Sequence, residues 1–321
     1  MKIIENIRET EFAFPHTVLT IGSFDGVHRG HRRVLDDVVH LARERNGTAA
    51  VLTMRPHPRE FFSPDHAPNL LTCDRKKTQL LKEAGVDAVL LLQFTAEVAN
   101  LDRAAFVDHI IRRCCHAEAV VVGHDFRFGR DALGDFEFLQ SLGQVYDFVV
   151  HQVPPLYVQG ERVSSTLIRE QVLQGDIEKA ALLLGRKYSL VGRVVAGRGI
   201  GTELGFPTAN IEPRHSAVPA QGVYAGEALV NGQRIPAAIN VGIAPTIRQK
   251  DLVVEAFLLD FDQNLRDAEI EIVFHRRLRS EKKFPTHAAL TEQIAHDVEA
   301  VRACLARRED PETGKEALCD T

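Results

Sequence analysis

No stretch of this 321-residue chain approaches the roughly 20 uninterrupted apolar residues a membrane-spanning helix needs, and Met1-Lys2-Ile3-Ile4-Glu5-Asn6 forms no apolar leader. A membrane span and a secretion signal are therefore not expected, and the cytoplasm is the expected location. Cysteine is scarce and odd in number: Cys73, Cys114, Cys115, Cys304 and Cys319 are five, with two of them adjacent. That is a poor disulfide framework, so reduced thiols are expected. Cys114-Cys115-His116 finds no second paired ligand set at zinc-finger spacing, so it is read as a buried helix end and no transition metal is assigned. There is no basic domain either: 39 Lys and Arg against 44 Asp and Glu leave a net charge of −5, which argues against a nucleic-acid surface. Tryptophan is absent, internal repeats are absent, and no tract is of low complexity.

What remains is an ordinary globular composition with two rhythms. The length exceeds one ordinary core and fits two domains of roughly 150 residues each. From Thr17 to about residue 150, apolar runs at Thr17 to Ile21, Ala49 to Thr53, Ala88 to Leu92, Ala119 to Val122 and Tyr146 to Val150 alternate with helical patterns near 32–45, 74–84, 102–115 and 133–142. This spacing predicts an α/β domain with a doubly wound parallel sheet, whose ligands sit at the carboxyl ends of its strands. Thr72 and Asp74 are candidate caps for the second helix. Two short helices, near 166–173 and 176–184, end at Gly185-Arg186-Lys187, where the pattern changes and the domain boundary is placed.

Beyond it, short runs near 188–196, 222–230, 236–241, 253–261 and 269–276 are separated by turn residues, with Asn231-Gly232 a strong hairpin signal. They predict a small antiparallel β-barrel closed by a helix from Thr286 to Ala306. The expected division is thus 1–185, 186–307 and a charged tail, 308–321, expected to be disordered.

Three segments of the first half fall at strand carboxyl ends and should converge on one crevice. The first, Gly22-Ser23-Phe24-Asp25-Gly26-Val27-His28-Arg29-Gly30-His31, reads as strand, glycine turn and helix start. Unpaired N–H groups at such a start form an anion site that two histidines three apart reinforce, so the expected ligand is a phosphate chain. An isolated His-x-x-His also occurs on plain βα turns; the three glycines and the preceding strand set this one apart. Arg29, Arg32 and Arg33 suit a small polyphosphate. The other segments are Arg55-Pro56-His57-Pro58 and Gly123 to Gly129, which carries Asp125, Phe126, Arg127 and Phe128.

His28-Arg29-Gly30-His31 resembles the His-x-Gly-His signature of the nucleotidyltransferases related to class I tRNA synthetases. With the other motifs, nearly the whole chain resembles the bacterial bifunctional riboflavin kinase/FAD synthetases. That resemblance implies adenylation of FMN by ATP in the first domain. It assigns Gly22, Phe24, Asp25 and Gly30 to ATP, with His28 and His31 acting on the phosphates. Asp25 is the weaker of these, since it can instead shape the turn. Ser164, Ser165, Thr166 and Arg169 resemble the family's second phosphate motif, although Ser164 or Ser165 alone would read as a helix cap. Pro58, Asp125 and Arg127 match flavin-binding loops, with Met54 where an aromatic residue is common.

In the second half, Gly197-Arg198-Gly199-Ile200-Gly201-Thr202-Glu203-Leu204-Gly205-Phe206-Pro207-Thr208-Ala209-Asn210 resembles the riboflavin kinase ATP motif, assigning Gly197, Gly199, Gly205 and Pro207 to ATP. Thr208 and Asn210, two apart in an extended segment, point their oxygens the same way and suit Mg²⁺. Deprotonating a primary alcohol benefits from a carboxylate base, and Glu255 interrupts an apolar run where the family carries its proposed catalytic glutamate. An edge-strand carboxylate facing solvent is the plainer alternative. Arg279, Glu281 and Phe284 match a flavin-side segment. Asn264-Leu265-Arg266-Asp267 and the turn at Arg248-Gln249-Lys250 depart from the usual pattern, at positions expected to lie away from Thr208, Asn210 and Glu255.

The expected function is phosphorylation of riboflavin to FMN and adenylation of FMN to FAD, with ATP, riboflavin and FMN as substrates, Mg²⁺ as cofactor, and neither nucleic acid nor membrane as partner. The alternatives are a monofunctional nucleotidyltransferase whose barrel binds flavin without catalysis, a tRNA-charging or RNA-binding protein, and a flavin sensor without turnover. No Lys-Met-Ser-Lys-Ser-like segment supports the second.

Overall fold

A computed structural model describes residues 1–9, 12–64, 69–197, 201, 205–213, 216–245 and 250–306. Gly199, Arg248, Gln249 and the tail from Arg307 onward lie outside these described residues. The chain divides into two compact units, Met1–Ser165 and Thr166–Thr321.

The first unit is built on six parallel strands: β1 (Lys2–Ile4), β2 (Thr17–Ile21), β3 (Thr48–Arg55), β4 (Ala88–Gln93), β5 (Ala117–Gly123) and β6 (Val149–Val153). Their order is β1-β4-β3-β2-β5-β6, so the chain winds outward from β2 through β3 and β4, then returns to the other side of β2 for β5 and β6. The switch point lies between β2 and β5, where the loops leaving the two strands diverge and open a crevice. All five residues of β2 are buried, as an uncharged strand covered on both faces requires. Helix α1 (Arg29–Glu44) covers one face, burying Val34, Leu35, Val38, Val39 and Ala42 at helical spacing.

The remaining helices of this unit are α2 (Pro58–Phe62), α3 (Asp74–Glu83), α4 (Ala96–Ala99), α5 (Arg103–Phe106) and α6 (Phe136–Tyr146). The helix expected at 102–115 is α5 continued by a π-helical stretch, Val107–Cys114. Two expectations need correction. The last strand is displaced to Val149–Val153, because α6 runs through Tyr146 and ends only where Asp147 turns left-handed at φ 61°. Thr72 does not cap α3, whose N-cap is Cys73 without a side-chain bond. The short edge strand β1 was not anticipated, and a hairpin of β7 (Tyr157–Val158) and β8 (Glu161–Arg162) follows the sheet.

Helix α7 (Ser165–Gln174) leads into α8 (Ile177–Leu184), which Asp176 caps and Gly185 ends in the left-handed conformation at φ 75°. By packing, α8 belongs with the barrel, against the first and last strands of that unit. The barrel is closed by β9 (Tyr188–Val195), β10 (Thr208–Glu212), β11 (Gly222–Val230), β12 (Gln233–Pro245), β13 (Lys250–Leu258) and β14 (Glu269–Arg279), antiparallel in the order β10-β13-β12-β11-β14-β9. Asn231 and Gly232 join β11 to β12 with φ 49° and 82°, as a two-residue hairpin of this hand demands.

Alternation sorts β13 cleanly. Val254, Ala256 and Leu258 are buried in the barrel, so Glu255 and Phe257 face outward. The closing helix, α9 (His287–Ala306), lies on that side: Val298, Val301 and Leu305 pack with Ala225, Ala238 and Phe257. A six-stranded parallel sheet followed by a closed antiparallel barrel with a terminal helix is the architecture expected from the sequence.

Candidate active sites

In the first unit, β2 runs into a turn whose backbone is left-handed at Phe24, Gly26 and Val27, with φ 48°, 85° and 38°. A β-branched residue at positive φ is strained and persists only when its surroundings over-determine it. Two features do so. Phe24 and Val27 are buried beside Leu35, Val51 and Leu81. Below them the Asp25 carboxylate accepts from Leu71 N at 2.9 Å and from Thr72 N at 3.1 Å, while Thr72 Oγ1 accepts from Gly26 N at 3.0 Å. Asp25 therefore spends its carboxylate on the turn, and Thr72 serves this contact rather than a helix cap.

His28 is the N-cap of α1: its Nδ1 accepts from the His31 backbone N–H at 3.1 Å, which in the neutral ring leaves the proton on Nε2. The two imidazoles stack at 3.6 Å, and Phe24 packs on His31 at 5.0 Å. Gly30 permits this, because a Cβ there would lie 3.2 Å from the His28 ring. Ser165 Oγ donates to the Asp25 carbonyl at 2.8 Å, joining the start of α7 to the glycine turn. Ser164 precedes it; Thr166 and Arg169 follow on α7 and fall in the second unit.

Across the switch point, Phe126 stacks on buried Phe128 at 5.3 Å, and Asp125 and Arg127 are exposed. Arg162, which the sequence reading missed, contacts His124 Nε2 at 3.0 Å and Asp125 Oδ2 at 3.7 Å. At the end of β3, Arg55, Pro56, Phe61, Gln93 and Phe94 border a cavity of about 500 Å³. Pro58 opens α2, with His57 Nδ1 accepting from Arg59 N at 3.1 Å; Phe61 and Phe94, in edge contact at 5.3 Å, supply an aromatic wall that the Pro-His-Pro motif alone did not disclose.

The second unit holds a cavity of about 410 Å³ between the outer face of β10, β13 and β12 and the closing helix, and it is bordered by Thr208, Asn210, Asn240, Glu255, Arg279, Glu281 and Phe284. Strand register makes the grouping. Thr208 pairs with Phe257 and Asn210 with Glu255 on one side of β13; on the other, Glu255 pairs with Asn240. Glu255 is thus half-buried on a central strand, and the edge-strand alternative is set aside. Gly197 lies against Asn210, where a Cβ would overlap the Asn210 amide, and Gly205 is left-handed at φ 84°. Arg279 pairs with Asp297 of α9, Nε to Oδ1 at 2.9 Å and Nη2 to Oδ2 at 2.7 Å, and its guanidinium lies 5.8 Å from the Phe284 ring.

Pro207 and Thr208 also border an adjoining cavity of about 260 Å³ with Asn264, Leu265 and Arg266. This corrects an expectation: the departure at Asn264 to Asp267 does not lie away from Thr208, because the loop folds back beside β10.

Family models divide the chain in the same sense: FAD synthetase matches residues 12–167 and riboflavin kinase matches residues 184–305. A bifunctional riboflavin kinase/FMN adenylyltransferase of Pseudomonas fluorescens is 38% identical over 307 residues, covering 95% of this chain and 98% of that protein. The corresponding protein of Escherichia coli (strain K12) is 38% identical over 299 residues, covering 92% and 96%. The chain belongs to the bifunctional riboflavin kinase/FMN adenylyltransferase family. A crystal structure described as a macrolide-efflux protein from Streptococcus pneumoniae matches with a TM-score of 0.84 at 28% identity, covering 94% of this chain and 98% of that one. Among the described residues here, no helix is long and apolar enough to cross a membrane. In the second unit the motifs border one cavity, whereas the first unit's cavity is bordered by Arg55 and Pro56 and by none of the residues at 22–31 or 123–129; the residues the motifs left out are Thr72, Arg162, Phe61, Phe94, Asn240 and Asp297.

Proposed function

We propose that the two activities of the family are divided between two sites in this chain, with residues 1–185 converting FMN and ATP to FAD and pyrophosphate and residues 186–307 converting riboflavin and ATP to FMN and ADP. The observation that carries the reading is the register of β10, β13 and β12, which sets Thr208, Asn210 and Glu255 on one face of one cavity. A barrel that only bound flavin would have no need of that row, so the monofunctional reading is not favoured.

In the barrel, Glu255 takes the proton of the terminal ribityl hydroxyl as its oxygen attacks the γ-phosphorus of ATP and ADP departs. Among the described residues no group of three His, Cys, Asp or Glu could hold a metal ion. The hard oxygens of Thr208 and Asn210 suit Mg²⁺, which takes few protein ligands and shares the rest with phosphates. When bound, Mg²⁺ neutralises phosphate charge. Gly197, Gly199, Gly205 and Pro207 wrap the nucleotide, and Arg279, Glu281 and Phe284 border the flavin.

In the first unit the nucleophile is the FMN phosphate, already ionised near neutral pH, so the task is positioning and charge neutralisation. His28 and His31 donate to the triphosphate at the start of α1, beside Gly22, Phe24 and Gly30. Asp25 fixes the turn. Ser164 and Ser165 offer hydroxyls to the phosphates, while Pro58, Asp125 and Arg127, with Phe61 and Phe94, receive the flavin. All of these substrates are small molecules, and the cytoplasm is the proposed location, without nucleic-acid or membrane partners.

The test follows riboflavin, FMN and FAD by chromatography in Mg²⁺–ATP, from riboflavin and from FMN in parallel. Glu255→Gln should abolish FMN formation and leave FMN-to-FAD conversion within about twofold of the parent protein. Loss of both activities would overturn the two-site division.

A further inference from the structure

Glu255 is flanked on both sides by amide side chains at its own register level, Asn210 from β10 and Asn240 from β12. The two are not equivalent. The Asn210 amide is crowded by Gly197, where even a Cβ would overlap it. Asn240 instead directs Nδ2 at the carboxylate, donating to Glu255 Oε2 at 3.5 Å. Gly242, two residues along β12, keeps this corner open: a Cβ there would lie 3.5 Å from Asn240 Nδ2 and 3.0 Å from Glu281 Oε1. A half-buried carboxylate on a strand of Val, Ala and Leu calls for a hydrogen-bond donor, and a general base must be held still to be effective.

We propose that Asn240 is a positioning residue for riboflavin phosphorylation, its amide N–H holding Oε2 of Glu255 so that Oε1 is presented to the substrate hydroxyl. The inference rests on Glu255 being the base. In the step, the ribityl O–H proton passes to Oε1, the O–P bond to the γ-phosphorus forms, and the P–O bond to ADP breaks with its electron pair retained by ADP. Asn240 exchanges no proton.

The experiment measures kcat and KM of FMN formation in the full-length chain, with FMN adenylation as the internal reference. For Asn240→Ala the expectation is a fall in kcat of about tenfold to a hundredfold, the range of one hydrogen bond to a charged group, with KM for riboflavin and ATP within about threefold. Asn240→Asp, which keeps the shape but sets an acceptor in place of the N–H donor, should lose kcat at least as far with KM likewise held. An unchanged kcat would overturn the proposal, as would a raised KM at constant kcat. If Asn240→Ala fails to fold, Asn240→Asp carries the test alone through the same split of kcat against KM. Glu255→Gln separates the premise from the inference. If that variant still makes FMN, the base is misassigned; if it is inactive while both Asn240 variants behave as the parent, only the role of Asn240 fails.

Discussion

At the residue scale, Asp25 and Thr72 were read from the sequence as unrelated, one beside the nucleotide and one at a helix cap. They form one contact, in which Asp25 Oδ1 meets Thr72 N at 3.1 Å and Thr72 Oγ1 at 3.3 Å across 47 positions of chain. Both side chains suit local roles, as Asp and Thr do beside turns and helix starts, and no local pattern reveals a partner so distant. Asp25 is buried, so Asp25→Ala leaves the Leu71 and Thr72 amides unpaired and releases a turn that holds Val27 at φ 38°. The expected cost is about 2–3 kcal/mol in the first unit, read by urea unfolding, with FMN adenylation reduced and riboflavin phosphorylation retained. A variant of parental stability that fails only in ATP binding would return Asp25 to the nucleotide. His28 and His31 were legible because their chemistry is local: a cap, a helix start and a glycine two residues on.

At the scale of elements, the strands were legible where alternation or continuous apolarity is strong. Glu255 drew notice because it interrupts such a run. Asn240 did not, since a single amide in Ile239-Asn240-Val241 carries no periodic signal, and its meaning arises only from pairing with β13. The closing helix was expected, but not what fastens it. Arg279 on β14 and Asp297 on α9 form a bidentate pair with side-chain exposures of 15% and 8%, and Gln293 Nε2 donates to Asp297 Oδ1 at 3.1 Å. A pair this buried adds little over an apolar pair, yet removing one partner strands the other charge. Asp297→Ala should therefore destabilise the barrel by about 3–5 kcal/mol, whereas Asp297→Asn, which keeps one acceptor, should cost less. Equal, small losses for both in thermal unfolding would mean that Arg279 finds another partner and that α9 is held by its apolar face alone.

At the scale of the whole molecule, the change of rhythm between the two halves disclosed two folds, because parallel and antiparallel sheets impose different spacings on the chain. The cavities were less legible, since each is walled by residues from several segments of the chain, of which the motifs mark only some. On the proposed assignment FMN is the product of one site and the substrate of the other, so a chain lacking only Glu255, the proposed kinase base, and a chain lacking only His31, the proposed phosphate-binding histidine, should complement each other through released FMN. Glu255→Gln supplied with riboflavin should yield no FAD, and His31→Ala should accumulate FMN. Mixed, the two proteins should yield FAD after a lag that shortens as the His31→Ala protein is increased, because FMN must first build up in solution. Chromatography of the time course reads the lag directly. Failure of the mixture to make FAD, while each variant retains its own half-reaction, would mean that FMN is not shared between chains and must be used by the molecule that made it.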